Sequence, residues 1–266
     1  MKRPLPLLGI AVLVATLAGC GGSGGGTTTT AALDPIVFCV DTTYPPMESI
    51  VNGKPVGADI DIATAVAKNL GTTAQIKTTG FNVIIPALLH KKCNAIISAM
   101  TITAERSKQV NFVPYITVGS LLMVKKGNPS NVSDLASLSG KSAAVEASTT
   151  QLASLQAENE KLQTQGKAPI TIKIFPADTA AAQAILSGHV DAYFADATPV
   201  LYYIRTTKGR FETVGSQVDT APEGIATRKG DPLHARIQSA VNKLYSSGKM
   251  ATILAKWQAS QFALKQ

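Results

Sequence analysis

The chain has 266 residues, a formal net charge of +8, 45% hydrophobic and 16% charged residues. A positive mean hydropathy of +0.15 excludes a disordered polar tail, and 21 Gly with 14 Pro exclude a collagen-like or Pro-rich fibre. Three cysteines are too few for a disulfide scaffold or a zinc ribbon. Lys and Arg are scattered, so despite a pI near 9.4 no nucleic-acid partner is expected.

Lys2 and Arg3 precede an apolar stretch from Leu5 to Ala18, the layout of a signal peptide over residues 1–19. Leu17-Ala18-Gly19-Cys20 resembles the box at which bacterial lipoproteins are cleaved and diacylated. Cys20 is therefore the expected lipidation site, and two acyl chains suffice for stable anchoring. Residues 20–33, rich in Gly, Ser and Thr, read as a flexible tether. No later stretch reaches about 18 uninterrupted apolar residues. The rest is expected to be exported, touching a membrane only through the lipid.

From there strands alternate with helices. Ile36 to Val40 reads as a buried strand, and Asp59 to Leu70 as a helix with Ile62, Val66 and Leu70 on one face and Gly71 as its stop. Ala74 to Lys77 is a strand, Val83 to Lys91 a helix and Asn94 to Ser98 a third strand. The pattern restarts with strands at Ser120 to Lys125 and Ser142 to Val145, then a helix from Ser148 to Leu162. A strand at Ile170 to Phe175, a helix at Thr179 to Leu186 and a strand at Val190 to Phe194 follow. Pro232 to Ser246 and Met250 to Phe262 are the closing helices. Strands joined by helices of this length pair in parallel through right-handed crossovers. The fold class is α/β, with two lobes of roughly 100 residues each.

Catalytic signatures are absent. His90, His189 and His234 show no metal-ligand spacing, and there is no nucleophile elbow, phosphate loop or dinucleotide fingerprint. Neither a metal nor a cofactor is expected. Four polar segments instead sit where strands end, the side on which open α/β sheets bind ligands. They are Asp41 to Pro46, Ser98 to Arg106, Ser148 to Thr150, and Asp196. Each has a plain structural alternative: a turn for Asp41, a solvated helix residue for Arg106, and helix caps for Ser148, with Gln151 completing a capping box, and for Asp196.

Together these segments resemble the amino-acid-binding family of periplasmic solute-binding proteins, family 3. The carrying residues are Asp41-Thr42-Thr43-Tyr44-Pro45-Pro46-Met47-Glu48, Gly57-Ala58-Asp59-Ile60-Asp61, Phe81 with Ile85-Pro86-Ala87-Leu88, and Ile96 to Arg106. Gly188-His189-Val190-Asp191-Ala192, Asp196, Gly224-Ile225-Ala226 and Lys229-Gly230-Asp231 follow in order. The resemblance implies the two-lobed type II periplasmic-binding-protein fold, each lobe an open, mostly parallel sheet flanked by helices, with two hinge crossovers. Lobe 1 is expected to span residues 34–118 plus 223–266 and lobe 2 residues 119–222. Hinges are expected near Thr117 to Gly119 and Ala221 to Gly224. The implied role is capture of an amino acid, as a monomer, for an ABC permease. The alternative on the same scaffold is an exported cyclohexadienyl (prephenate or arogenate) dehydratase, with Glu146 as general acid.

Roles follow for particular residues. An α-amino acid presents a carboxylate, which Arg106 would hold with Thr101 and the helix start at Thr149 and Thr150. Its ammonium would meet Asp196, with Ser98 and Ala99 offering oxygen. Tyr44 and Phe81 would wall the side chain. Family members often carry Gly where this chain has Ser148. Asp41 and Glu146 are left over, so the expected ligand is cationic or polar: arginine, lysine or ornithine ahead of glutamine or histidine. With Cys20 lipidated, Cys39 and Cys93 are the thiols left in an oxidising compartment. They flank neighbouring strands, but near opposite ends, so a disulfide and two free thiols both remain open.

Overall fold

The computed structural model describes residues 34–265; the expected signal peptide and the tether with Cys20 lie outside them. The first elements are β1 (Ile36–Val40), β2 (Thr43–Tyr44), β3 (Glu48–Val51), β4 (Lys54–Val56), α1 (Ala58–Asn69) and β5 (Ala74–Thr78). Next come α2 (Ile84–Leu89), β6 (Ala95–Ile96), α3 (Ala104–Gln109), β7 (Val110–Lys125), β8 (Ser142–Glu146) and α4 (Thr150–Thr164). The chain continues through β9 (Thr171–Phe175), α5 (Asp178–Leu186), β10 (Ala192–Asp196), α6 (Ala197–Thr206) and β11 (Phe211–Arg228). It closes with α7 (Leu233–Ser246) and α8 (Lys249–Lys256).

Eight strands run in the order β5-β1-β6-β11-β7-β10-β8-β9. β1 lies parallel to β5 and β6, and β8 parallel to β9 and β10. Between these parallel sets stand β7 and β11, antiparallel to each other and to their outer neighbours. They are 16 and 18 residues long and pass through both halves of the sheet. Phe211 pairs with Lys125 in one half and Arg228 with Val110 in the other. The register shifts between Val214 and Val218, between Val218 and Ala221, and between Glu223 and Gly224. The fold is thus α/β with a mostly parallel central sheet; the antiparallel exceptions are β7 and β11, where the chain crosses from one half to the other, and the separate β2-β3-β4 sheet.

Alternation along β1 divides the packing. Phe38 and Val40 face Ile62 and Val66 of α1 and residues of α7 and α8 such as Ile237 and Leu254. Cys39 faces the other way, with Ile84 and Leu88 of α2. In the second half, Leu155 and Leu162 of α4 cover Val145 and Phe194 on one face. Ile185 of α5 and Val200 of α6 cover the other. No helix among the described residues is long and apolar enough to cross a membrane. No cluster among them has the makings of a metal site.

Cys39 and Cys93 are bonded, with Cα atoms 5.7 Å apart. Strand ends alone do not reveal this proximity. Cys93 sits in the turn before β6, where the Asn94 N–H donates to the Val37 carbonyl and the Asn94 Oδ1 accepts from the Val37 N–H. That turn folds back along β1, so the sulfurs meet on the α2 side.

Two outcomes are expected. A non-reduced digest should contain a Cys39–Cys93 cross-linked peptide, and the double Cys→Ser variant should lose about 4 kcal/mol of stability on the chain-entropy account; separate peptides in the non-reduced digest would reject the bond. Gly57 precedes α1 at φ +143°, and a Cβ there would lie 2.0 Å from the Met47 carbonyl oxygen. Gly57→Ala should therefore cost about 3 kcal/mol, read as a lowered denaturation midpoint.

Candidate functional site

The carboxyl ends of the parallel strands and the start of α4 converge on one cleft of about 300 Å³. β1 leads into Asp41, β6 into Ser98 and Ala99, β8 ends at Glu146 and β10 at Asp196. Asp41, Tyr44, Phe81, Ser98, Ala99, Thr101, Arg106, Glu146, Thr149, Thr150 and Asp196 all line this cleft, so the residues expected from sequence to contact the ligand lie together. Glu48 and Gln151 line it too.

Arg106 is the one cation among the lining residues. It lies in α3, whose N-cap Thr103 accepts the Arg106 N–H. Its guanidinium stacks over Phe81, 5.2 Å from the ring centre. Nη1 donates to the Thr101 carbonyl at 2.8 Å and Nη2 to the Ser148 carbonyl at 3.1 Å. These bonds fix the plane of the group and leave further N–H donors for an oxyanion. Burial lowers the Arg106 pKa, opposed by the charges of Asp196 and Glu223.

Ser148 adopts φ +65°, the left-handed conformation that favours glycine. The requirement that makes glycine common there is present, and serine meets it while its carbonyl takes Arg106. The cap of α4 is Thr149, whose Oγ1 accepts the Leu152 N–H and donates to the Glu146 carbonyl. The capping box read from Ser148 and Gln151 does not form. Gln151 turns its amide inward, donating to Asp196 Oδ1 at 2.6 Å and to Ser120 Oγ at 2.7 Å. The N–H groups of Thr150 and Gln151, in the first turn, precede any intrahelical acceptor and complete an anion-favouring wall.

Asp196 begins α6 without capping it. Its Oδ2 accepts the Tyr44 hydroxyl at 2.8 Å, a bond between the two halves of the sheet. Burial raises its pKa to about 6, opposed by Tyr44, Arg106 and Gln151. Tyr44 is therefore more than an aromatic wall. Its hydroxyl also accepts the Asp196 N–H.

The remaining carboxylates differ in what they still lack. Asp41 accepts from the Thr43 N–H, the Thr43 hydroxyl and the Phe81 N–H, so it has little left to offer a ligand. Ser98 is committed as well: its hydroxyl accepts the Asp41 N–H and donates to Glu48 Oε1. That leaves carbonyl oxygen as its contribution. Asp59 Oδ2 accepts the Ala99 N–H and the Tyr115 hydroxyl, holding Ala99 at φ +41°. Burial and the adjacent Asp59 push the Glu48 carboxyl well up. Glu146 is 5% exposed and its Oε1 has no hydrogen-bond partner. Burial, then the charges of Asp178 and Asp41, raise its pKa to about 9.

Sequence reasoning missed Glu48 and Gln151 as lining residues. Glu48 stood inside the Asp41 to Glu48 segment, yet its inward aim depends on the turn from β2 to β3. Gln151 was masked by its fit to a helix cap.

The family model for bacterial extracellular solute-binding proteins, family 3, matches residues 36–260. The chain is 32% identical to the glutamine-binding protein of an ABC transporter from Bacillus subtilis, over 97% of each chain. It is 30% identical to ABC transporter arginine-binding protein 1 of Escherichia coli, over 85% of this chain and 92% of that one. A solved ancestral arginine-binding protein bound to arginine is 35% identical, with a TM-score of 0.77 over 85% of this chain and 99% of its own. With the family match spanning nearly all the described residues, the chain belongs to the bacterial extracellular solute-binding proteins of family 3.

Proposed function

We propose that the chain captures a cationic L-amino acid, arginine before lysine and ornithine, and delivers it to an ABC permease. The observation that carries this is the cleft's excess of carboxyl groups over cations. Asp41, Glu48, Glu146 and Asp196 line it against Arg106 alone, and Glu146 keeps an oxygen without a partner. An α-carboxylate on Arg106 and an α-ammonium on Asp196 balance each other. A second positive group at Glu146 then relieves an otherwise costly buried carboxyl. Relatives that bind arginine support this reading, and the glutamine-binding relative keeps glutamine next after the cationic amino acids.

Capture would proceed by closure of lobe 1 (34–118 plus 223–266) on lobe 2 (119–222). The register shifts at Val218/Ala221 and Glu223/Gly224 support the hinge at Ala221 to Gly224. Tyr44 to Asp196, Arg106 to Ser148 and the Asp178 N–H to Thr43 Oγ1 are bonds that opening would break. A lipid on Cys20 would hold the monomer at the membrane, and a Cys20→Ser variant should lose acyl labelling.

A second reading, a dehydratase acting on prephenate or arogenate, draws on Glu146, since a carboxyl with a pKa near 9 is protonated at neutral pH as a general acid must be. Asp196 weighs against prephenate, which has no ammonium to meet it. Incubation with prephenate should give no change in absorbance, and turnover would favour the enzyme.

A thermal-shift screen over all amino acids tests the main reading. Arginine at about 100 times its dissociation constant should stabilise by about 2.7 kcal/mol. Glutamate or leucine matching arginine would contradict the ligand assignment. Arg106→Ala should abolish the arginine heat in calorimetry while thermal unfolding stays cooperative; near-wild-type affinity would remove Arg106 from its role.

A further inference from the structure

Behind Glu146 lies a second carboxylate. Asp178 opens α5 and is 1% exposed. Its Oδ1 takes the Tyr193 hydroxyl, while its Oδ2 has no hydrogen-bond partner. The Asp178 N–H, donating to Thr43 Oγ1, also lies near enough to Glu146 to favour its charged form. Thr43 in turn donates to Asp41. One end of the cleft is thus backed by two buried carboxyl groups, each with an open oxygen, Glu146 on the cleft wall and Asp178 behind it. No ion pair among the described residues reaches either one.

Resting on the cationic-ligand reading, we propose that Glu146 and Asp178 form a proton-exchanging pair that takes the ligand's side-chain cation and gives up a proton to solvent as it binds. A planar guanidinium, with donors on several edges, offers charged hydrogen-bond donors to the open oxygen of Glu146 where a carboxamide offers one neutral NH₂ group. Asp178 acts through Glu146, which lines the cleft, and is in that sense a positioning residue. The proton balance is simple: a carboxyl O–H breaks, its proton passes to buffer, and the carboxylate left behind faces the ligand's cation.

The surroundings support the exchange. Glu146 is faced by Asp178, Asp41 and Asp196. Asp178 is faced by Asp196 and Asp41, and by the hydroxyls of Tyr193 and Tyr203. None of these brings positive charge. Burial first, and then the charges of the neighbouring carboxylates, raise Glu146 to about 9 and Asp178 to about 8, while the Tyr193 and Tyr203 hydroxyls pull Asp178 the other way. Both groups are protonated at neutral pH. A bound cation favours the ionised form, so binding releases protons and strengthens as pH rises toward these values.

Calorimetry of arginine binding at pH 7 in two buffers of different ionisation enthalpy counts the protons. About one proton should leave per arginine, and affinity should rise about tenfold per pH unit from 6 to 8. Glutamine should bind with no release. Asp178→Asn, which keeps an acceptor for Tyr193, should reduce the release and shrink the preference for arginine over glutamine. Glu146→Gln should do the same, and serves if Asp178→Asn does not fold. Arginine binding without proton release, or release and preference unchanged in the variants, overturns the pair. Glutamine binding with no arginine binding instead overturns the ligand reading on which it rests.

Discussion

Arg106 faces an excess of buried carboxyl groups that its own single charge cannot balance. Asp41, Glu48, Asp59, Glu146, Asp178, Asp196 and Glu223 are all buried. Carboxylates in a low-dielectric interior are costly unless they are bonded, paired or protonated. The site uses each remedy in a different place. Asp41 is bonded on both oxygens, Asp196 is bonded and lies near Arg106, and burial beside Asp59 pushes the Glu48 carboxyl well up, toward its neutral form. Glu146 and Asp178 each keep an open oxygen, as do Glu48, Asp59 and Glu223; in the proposed reading it is the oxygen of Glu146 that meets the ligand's cation.

The scaffold holds this arrangement with backbone that most sequences avoid. Ala99 at φ +41° and Ser148 at φ +65° both sit in the left-handed region and both line or border the cleft. Strain of that kind persists only where the surroundings enforce it. Asp59 enforces it at Ala99 through the N–H bond, and Arg106 engages the Ser148 carbonyl. Gly57, which cannot carry a Cβ, sets the start of the helix that delivers Asp59. The buried charge and the strained loops therefore depend on one another.

The local elements were readable because their hydrophobic periods were clean. β1, α1, α4 and α5 fall within a residue or two of their expected limits. What was not readable is the crossing region. Only Ser120 to Lys125 of β7 was anticipated, and β11 was missed, because Pro114 and Gly119 in one and Gly215, Pro222 and Gly224 in the other read as breaks. The register shifts absorb those residues within continuous strands. The lining residues were legible through their places at strand ends. Their pairings were not: nothing in the spacing tells that Ser98 serves Glu48, or that Tyr44 donates to Asp196 from 152 residues away.

If the cleft selects by charge, shape alone must not suffice. Citrulline matches arginine in length and outline but carries a neutral ureido group in place of guanidinium. Direct titration of both ligands at pH 8 isolates that difference. The account predicts arginine tighter by at least about tenfold, or 1.4 kcal/mol; equal affinities would contradict it.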